Sequence, residues 1–227
     1  MIERYFRAGV RFLWNKPPDN GGPLNGAIVA SVGAATHLTY DGLDGHIAAV
    51  DPPLLLGNLA AVLGLAMGAN VPYTWLDYAP GRSARVQIGG NDILTGYMSG
   101  CPIVRGTHNG AMSAFHVGTV ENRPGVNHTV KQNFARNLPA NATGFNPLGA
   151  WTGVEIATRK AHVGGAALAL EKIFALVTTA GAFYSILLFN VSENGQWQAA
   201  GQRYWCVGGK KLVPPLNRVR LMASLLS

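Results

Sequence analysis

One thiol and one imidazole stand fifteen residues apart in this chain. Cys101 closes the segment Thr95-Gly-Tyr-Met-Ser-Gly-Cys101, and His116 lies in Phe115-His116-Val117-Gly118-Thr119. A thiol of ordinary pKa is mostly protonated at neutral pH; an imidazole beside it takes the proton and creates a nucleophilic thiolate. The imidazole then needs a third group to hold its ring. Thr95, six residues before Cys101, offers a hydroxyl or a backbone carbonyl for that purpose. Gly100 permits close backbone approach, and the N–H groups around Cys101 are candidates for stabilising an oxyanion.

These groups meet only if the intervening chain turns back on itself. Gly106-Thr-His-Asn109-Gly110 is the turn signal between them. A two-residue turn at His108-Asn109 pairs position 101 with 116. A turn at Asn109-Gly110 pairs 101 with 118 and makes His116 its diagonal neighbour. Side chains alternate along a strand, so either register puts Cys101 and His116 on one face. An odd-length loop would separate them.

Around this hairpin, expected at about 101–105 and 111–117, the pattern is strand-rich. Residues 4–14 fit an N-terminal helix or an edge strand, and 15–26 are loop. Residues 27–33 read as a buried strand. Asp51-Pro-Pro opens an apolar helix reaching Met67, too short and too interrupted by glycine and Asn58 for a membrane span. Further strands are expected at 73–78 and 84–88, with a turn at Pro80-Gly81. Apolar positions 126, 130, 134 and 138 mark one face of a helix that Pro139 stops. Residues 140–149 are loop, 153–161 fit either element, and 166–175 resemble a helix. Residues 183–189 form an apolar strand, turned at Asn194-Gly195 onto 197–207, and a last strand is expected over 217–222. No internal repeat or linker divides the 227 residues, so residues 1–227 are expected to form one domain.

Hydrophobic residues make up 48% of the chain and charged ones 13%, which selects a compact globular body over a disordered one. The net charge of +7 suits an acidic protein partner, an anionic membrane or nucleic acid. No dense basic run is interleaved with aromatics, so nucleic acid is not the expected partner. Basic residues concentrate only from Gly209-Lys-Lys211 to Arg218-Val-Arg220. Two cysteines do not make a disulfide framework and lack zinc-ligand spacing, although one Cys101–Cys206 bridge is open to them. The N-terminus has no signal-peptide core, and a reducing compartment is expected. His37, His46, His128 and His162 are scattered, His108 sits in the turn, and Asp41, Asp44 and Asp51 around His46 read as turn residues.

Thr95, the Ser99-Gly100-Cys101 step and Phe115-His116-Val-Gly-Thr119 together resemble the active site of the cytotoxic necrotizing factor type of glutamine deamidase. That fold group also holds Burkholderia lethal factor and the chemotaxis receptor deamidase. The resemblance covers residues 95–119. Two positions depart from the family pattern: Met98 stands where Leu is more usual, and Pro102 supplies no N–H after the nucleophile. The resemblance implies an α+β fold with a central β-sandwich of mixed sheets surrounded by helices. It implies a Cys101–His116–Thr95 triad, with Ser99 and Gly100 serving the oxyanion, and no metal or organic cofactor. The implied activity is that of a bacterial toxin or effector. Made in the bacterial cytoplasm and secreted without a cleavable signal, it would act in the host cytosol on a glutamine of a GTPase or translation factor. Two rivals stand beside it. One is a cysteine protease or other thiol amide hydrolase. The other is a non-enzymatic binding protein whose basic surface docks an acidic partner.

Overall fold

The computed structural model describes residues 2–33, 35–44, 67–163, 167–192 and 201–227. Two sheets organise these residues. Seven strands close a barrel: β1 (Val10–Trp14), β3 (Ala35–Leu43), β4 (Asn70–Trp75), β6 (Ile93–Gly96), β10 (Ala167–Val177), β11 (Phe183–Ser192) and β12 (Arg203–Leu212). The order around it is β1-β12-β11-β10-β6-β4-β3. The second sheet is open, in the order β2-β5-β8-β7-β9, from β2 (Ile28–Ala30), β5 (Ser83–Gln87), β7 (Ile103–His108), β8 (Ala111–Val117) and β9 (Thr143–Phe145). Among the described residues three α-helices lie outside the strands: α1 (Pro124–Arg136), α2 (Gly153–Ala161) and α3 (Arg218–Leu226).

The expected central β-sandwich is therefore corrected to a closed barrel plus a separate open sheet. The element responsible is β1, expected as a helix or an edge strand. It is an edge of nothing: Arg11–Trp14 pair with Arg203–Cys206 of β12, and Val10, Phe12 and Leu13 pair with Leu43, Tyr40 and Thr39 of β3. Closure comes from pairings between the two ends of the chain, which no local pattern announces.

Alternation then defines the layers. Phe174 and Leu176 of β10 and Ile186 and Leu188 of β11, with Trp205 and Val207 of β12, point into the barrel, where Trp14, Tyr73, Trp75, Phe174 and Trp205 fill the lumen. Their rings meet at 5.2 Å (Trp14–Phe174) and 5.5 Å (Trp14–Trp205), and Trp14 Nε1 donates to Tyr73 Oη at 2.6 Å. A narrow barrel has room for side chains and nothing else, and large aromatics fill it with few voids. The residues alternating with these point outward from Ile173 to Val177 and from Phe183 to Val191. Ile173, Ala175, Leu187 and Phe189 pack against Ala84, Ile103 and Ala114 of the open sheet. That sheet's other face, through Val104, Phe115 and Val117, is covered by Val130 and Phe134 of α1 and Leu221 and Leu225 of α3.

Other local expectations fare unevenly. The helix expected over 166–175 is corrected: its described residues belong to β10, paired antiparallel with β11 and, at Phe174 and Ala175, with β6 as well. Ala, Leu, Glu and Lys favour helix weakly, and strand pairing overrides that preference. The strand expected over 217–222 is α3, whose Asn217 side chain caps the helix by accepting from the Arg220 amide at 3.0 Å. The buried strand expected over 27–33 shrinks to three residues at a sheet edge, and β3 and β6 went unread. The ambiguous segment 153–161 is helical, opened by a capping box between Thr152 and Glu155. The loop expected over 140–149 contains β9. The apolar segment 53–66, His46, Asp51 and Asn194-Gly195 lie outside the described residues.

Candidate active site

The hairpin of β7 and β8 turns at Asn109-Gly110, with His108 paired to Ala111 and Ile103 paired to His116. Both turn residues have positive φ, 50° and 79°, which an Asn-Gly turn accommodates. Val117 N–H donates to Pro102 O at 3.0 Å, extending that register past the strand end. Cys101 and His116 are thus diagonal neighbours, the second of the two registers open to the sequence. Both are fully buried.

His116 shares its face with Ala114 and points into the seam between the open sheet and the barrel, flanked on its own sheet by Ala84 and Ile103. Across the seam stands Thr95, an outward-facing residue of β6 paired with Ala175. Thr95 Oγ1 and His116 Nδ1 are 2.7 Å apart in a buried hydrogen bond. When Nδ1–H donates in that bond, the lone pair of Nε2 is left as the base. His116 Nε2 is buried and has no hydrogen-bond partner.

The thiol has company of its own. Cys101 Sγ shares a hydrogen bond with Thr119 Oγ1 at 3.2 Å and donates weakly to Thr119 O at 3.8 Å. Tyr78 Oη donates to the same carbonyl at 2.7 Å, and the Tyr78 ring lies 5.3 Å from the His116 ring. Cys101, His116 and Thr119 so form a buried polar network, with Thr95 and Tyr78 attached. This is the equipment of a thiol-nucleophile hydrolase in general.

Glycines make the approach feasible. Gly100 has φ of 99°, a conformation that L side chains rarely adopt, and it delivers the chain to Cys101. At Gly118 a side chain would collide with the carbonyl of Ala79, so only glycine lets the segment carrying Tyr78 lie against the end of β8. Gly118 N–H donates to Arg82 O at 2.8 Å, and Gly81 N–H donates to Gly118 O at 2.7 Å.

Burial decides the charge state. Loss of solvent lowers the His116 pKa to about 3, assisted by the positive Lys16. Lys16 is itself largely covered, its ammonium 5.4 Å from the Trp75 ring and 5.2 Å from that of Tyr97. Burial also raises the Cys101 pKa, and hydrogen bonds from Thr119 and from the Ser99 amide and hydroxyl offset part of that rise. The resting pair is neutral thiol and neutral imidazole, where the sequence suggested a thiolate–imidazolium pair.

The structure thus gathers Thr95 and His116 by a direct bond, with Cys101 on the same face of the hairpin and bonded to Thr119. Ser99 is solvent-exposed and Gly100 half-buried. Pro102 offers no N–H, and its carbonyl is already engaged by Val117. Thr119 and Tyr78 were not assigned as site residues from sequence. Thr119 ends the His-x-Gly-Thr step and was within reach of sequence reasoning; Tyr78, distant along the chain, left no local signal. Cys206 is free and buried in the same apolar cluster as Cys101. No group of three His, Cys, Asp or Glu is placed to hold a metal among the described residues. No helix among them is long and apolar enough to cross a membrane.

No protein-family model, curated protein or solved structure matches this chain. The resemblance to the necrotizing factor type therefore stands on residues 95–119 alone.

Proposed function

We propose that the chain is a thiol amidohydrolase that converts a glutamine side chain on a partner protein to glutamate. The observation that carries the reading is the His116 ring. One nitrogen is bonded to Thr95, while the other is buried, unpartnered and on the face of the hairpin that carries Cys101. Leaving a buried ring nitrogen without a partner costs about 1–3 kcal/mol, a cost a reacting proton would offset.

In this mechanism His116 Nε2 takes the Cys101 proton as Sγ bonds to the amide carbon. Because the pair rests neutral, proton transfer accompanies attack instead of preceding it. The oxyanion meets the N–H groups and hydroxyl at Ser99 and Gly100. His116 returns the proton to nitrogen, the C–N bond breaks and ammonia leaves a thioester. Water, deprotonated by His116, adds to the thioester, and the C–S bond breaks. Glutamate and the free thiol remain. Each turnover adds one negative charge to the partner, a change able to reset a switch protein.

The complete burial of Cys101 favours the rival non-enzymatic reading, and one experiment separates the readings. Candidate host lysate is incubated with the protein in H2 18O, and peptides are scored for glutamine-to-glutamate conversion with label incorporation. Conversion that disappears in Cys101→Ala supports deamidation. Chain cleavage in its place identifies a protease, and an unchanged peptide map supports a binding protein.

A further inference from the structure

A cleft of about 360 Å³ opens beside the buried thiol, and residues from the site form its inner walls. Tyr78, Met98, Ser99 and Ile173 line it, together with the charged Asp19, Glu171 and Lys172. The Ser99 amide and hydroxyl offset part of the rise in the Cys101 pKa, which places this cleft residue next to the thiol. Tyr78 touches His116 by its ring and Thr119 by its hydroxyl. Half-buried Tyr78 is therefore the boundary between solvent in the cleft and a thiol with no exposed surface.

We infer that this cleft is the substrate entrance and that Tyr78 is its gate, a positioning residue that closes the site by holding Thr119 against Cys101 and its own ring against His116. Opening needs one hydrogen bond broken and one ring swung into the cleft. The Thr119 carbonyl is then released, and the sulfur turns from Thr119 toward the bare nitrogen of His116. The segment behind Tyr78 is anchored. Tyr78 O accepts from Asn20 N–H at 2.9 Å, and Arg82 binds the carbonyls of Asn20 and Gly21. The side chain therefore moves while its backbone stays. A cleft of this size, lined by Met98, Leu148, Ile156 and Ile173 together with the charged Asp19, Glu171 and Lys172, admits one polar uncharged side chain on an exposed loop, which matches a glutamine presented by a folded partner.

The inference rests on the thiol-hydrolase reading, and the test separates the two. Iodoacetamide alkylation of Cys101 is timed by peptide mass spectrometry, with Cys206 in the same chain as the internal standard. Tyr78→Phe keeps the ring and removes the hydrogen bond, so Cys101 labels about fivefold faster. Tyr78→Ala removes both and labels more than about tenfold faster, with Cys206 unchanged. Ser99→Trp in the Tyr78→Ala background fills the cleft and reverses the gain. Wild-type labelling rates in both Tyr78 variants, a parallel rise at Cys206, or no effect of Ser99→Trp would each overturn the gate. Adding His116→Ala to the open variant tests the other reading. If labelling keeps the same pH profile without the imidazole, the gate survives and the thiol-hydrolase reading falls. If Cys101-dependent deamidation is found while the Tyr78 variants label like wild type, the reading survives and the gate falls.

Discussion

Cys101 and Cys206 share one apolar cluster, are both free and both fully buried, and burial raises the pKa of each. Their surroundings differ in kind. Cys206, on the outer face of β12, has a long contact to the Val207 carbonyl at 4.0 Å, the Gly9 backbone, and the opposed charges of Asp44 and Arg11, with no imidazole among these groups. Cys101, at the end of the seam, has Thr119 at 3.2 Å, Ser99 beside it, and an imidazole on the same face of its hairpin. Burial alone makes a thiol inert. What distinguishes a chemical site is burial together with polar groups that are only partly satisfied. The barrel lumen sharpens the point. It too leaves buried atoms unpaired, the Nε1 groups of Trp75 and Trp205. Those are indole donors that do not titrate, whereas His116 Nε2 exchanges a proton.

The contrast can be broken most severely at the two thiols. Cys101→Ala is expected to abolish deamidation while Cys206→Ala preserves it, measured as labelled glutamate formed per hour. Equal loss in both would reduce Cys101 to packing. His116→Gln comes next, with turnover falling about 10²–10⁴-fold, the usual worth of a positioned general base. A third effect concerns stability. The His116 pKa lies near 3 in the folded chain against 6.5 when unfolded, so the unfolded state binds the proton more readily. Stability from this group is complete above pH 6.5 and declines as pH falls toward 3. About 2 kcal/mol should be lost by pH 5, and urea titrations at pH 7 and pH 5 should show that loss in wild type and not in His116→Gln. A smaller change follows from Thr95→Val, which keeps the shape and removes the bond to Nδ1. Turnover is expected to drop about tenfold with little change in KM, read by steady-state kinetics. Smallest is the structural cost of Cys206→Ala, about 1 kcal/mol by chemical denaturation, as for a small cavity in a packed cluster.

Much of the site was legible because it is local. Asn109-Gly110 fixes a hairpin, the hairpin puts Cys101 and His116 on one face, and Thr95 lies close along the chain. Helix α1 was equally plain from Val126, Val130, Phe134 and Leu138, ended before Pro139. Closure of the barrel was not legible, because Phe12 has to find both Tyr40 and Trp205. The segment Leu168–Lys172 carries helix-favouring residues and becomes strand because it continues the β10 ladder, pairing with β11 from Leu170 onward. Tyr78 was named only as part of a strand, since its role exists where four distant pieces of chain meet. Local geometry is written in spacing; partners brought together by topology are not.

Barrel closure also bears on how safely this chain can be made. A sheet edge is a template for pairing with another copy, and aggregation begins there. In the folded molecule the seven barrel strands present no edge, and the open sheet ends in two strands of three residues, β2 and β9, the latter bridged through Gly144 to Leu216. Until β1 seats between β3 and β12, however, both of those long strands lie open, and β12 is synthesised long after β1 and β3. The interval before that seal forms is when the nascent protein is most exposed to its own kind.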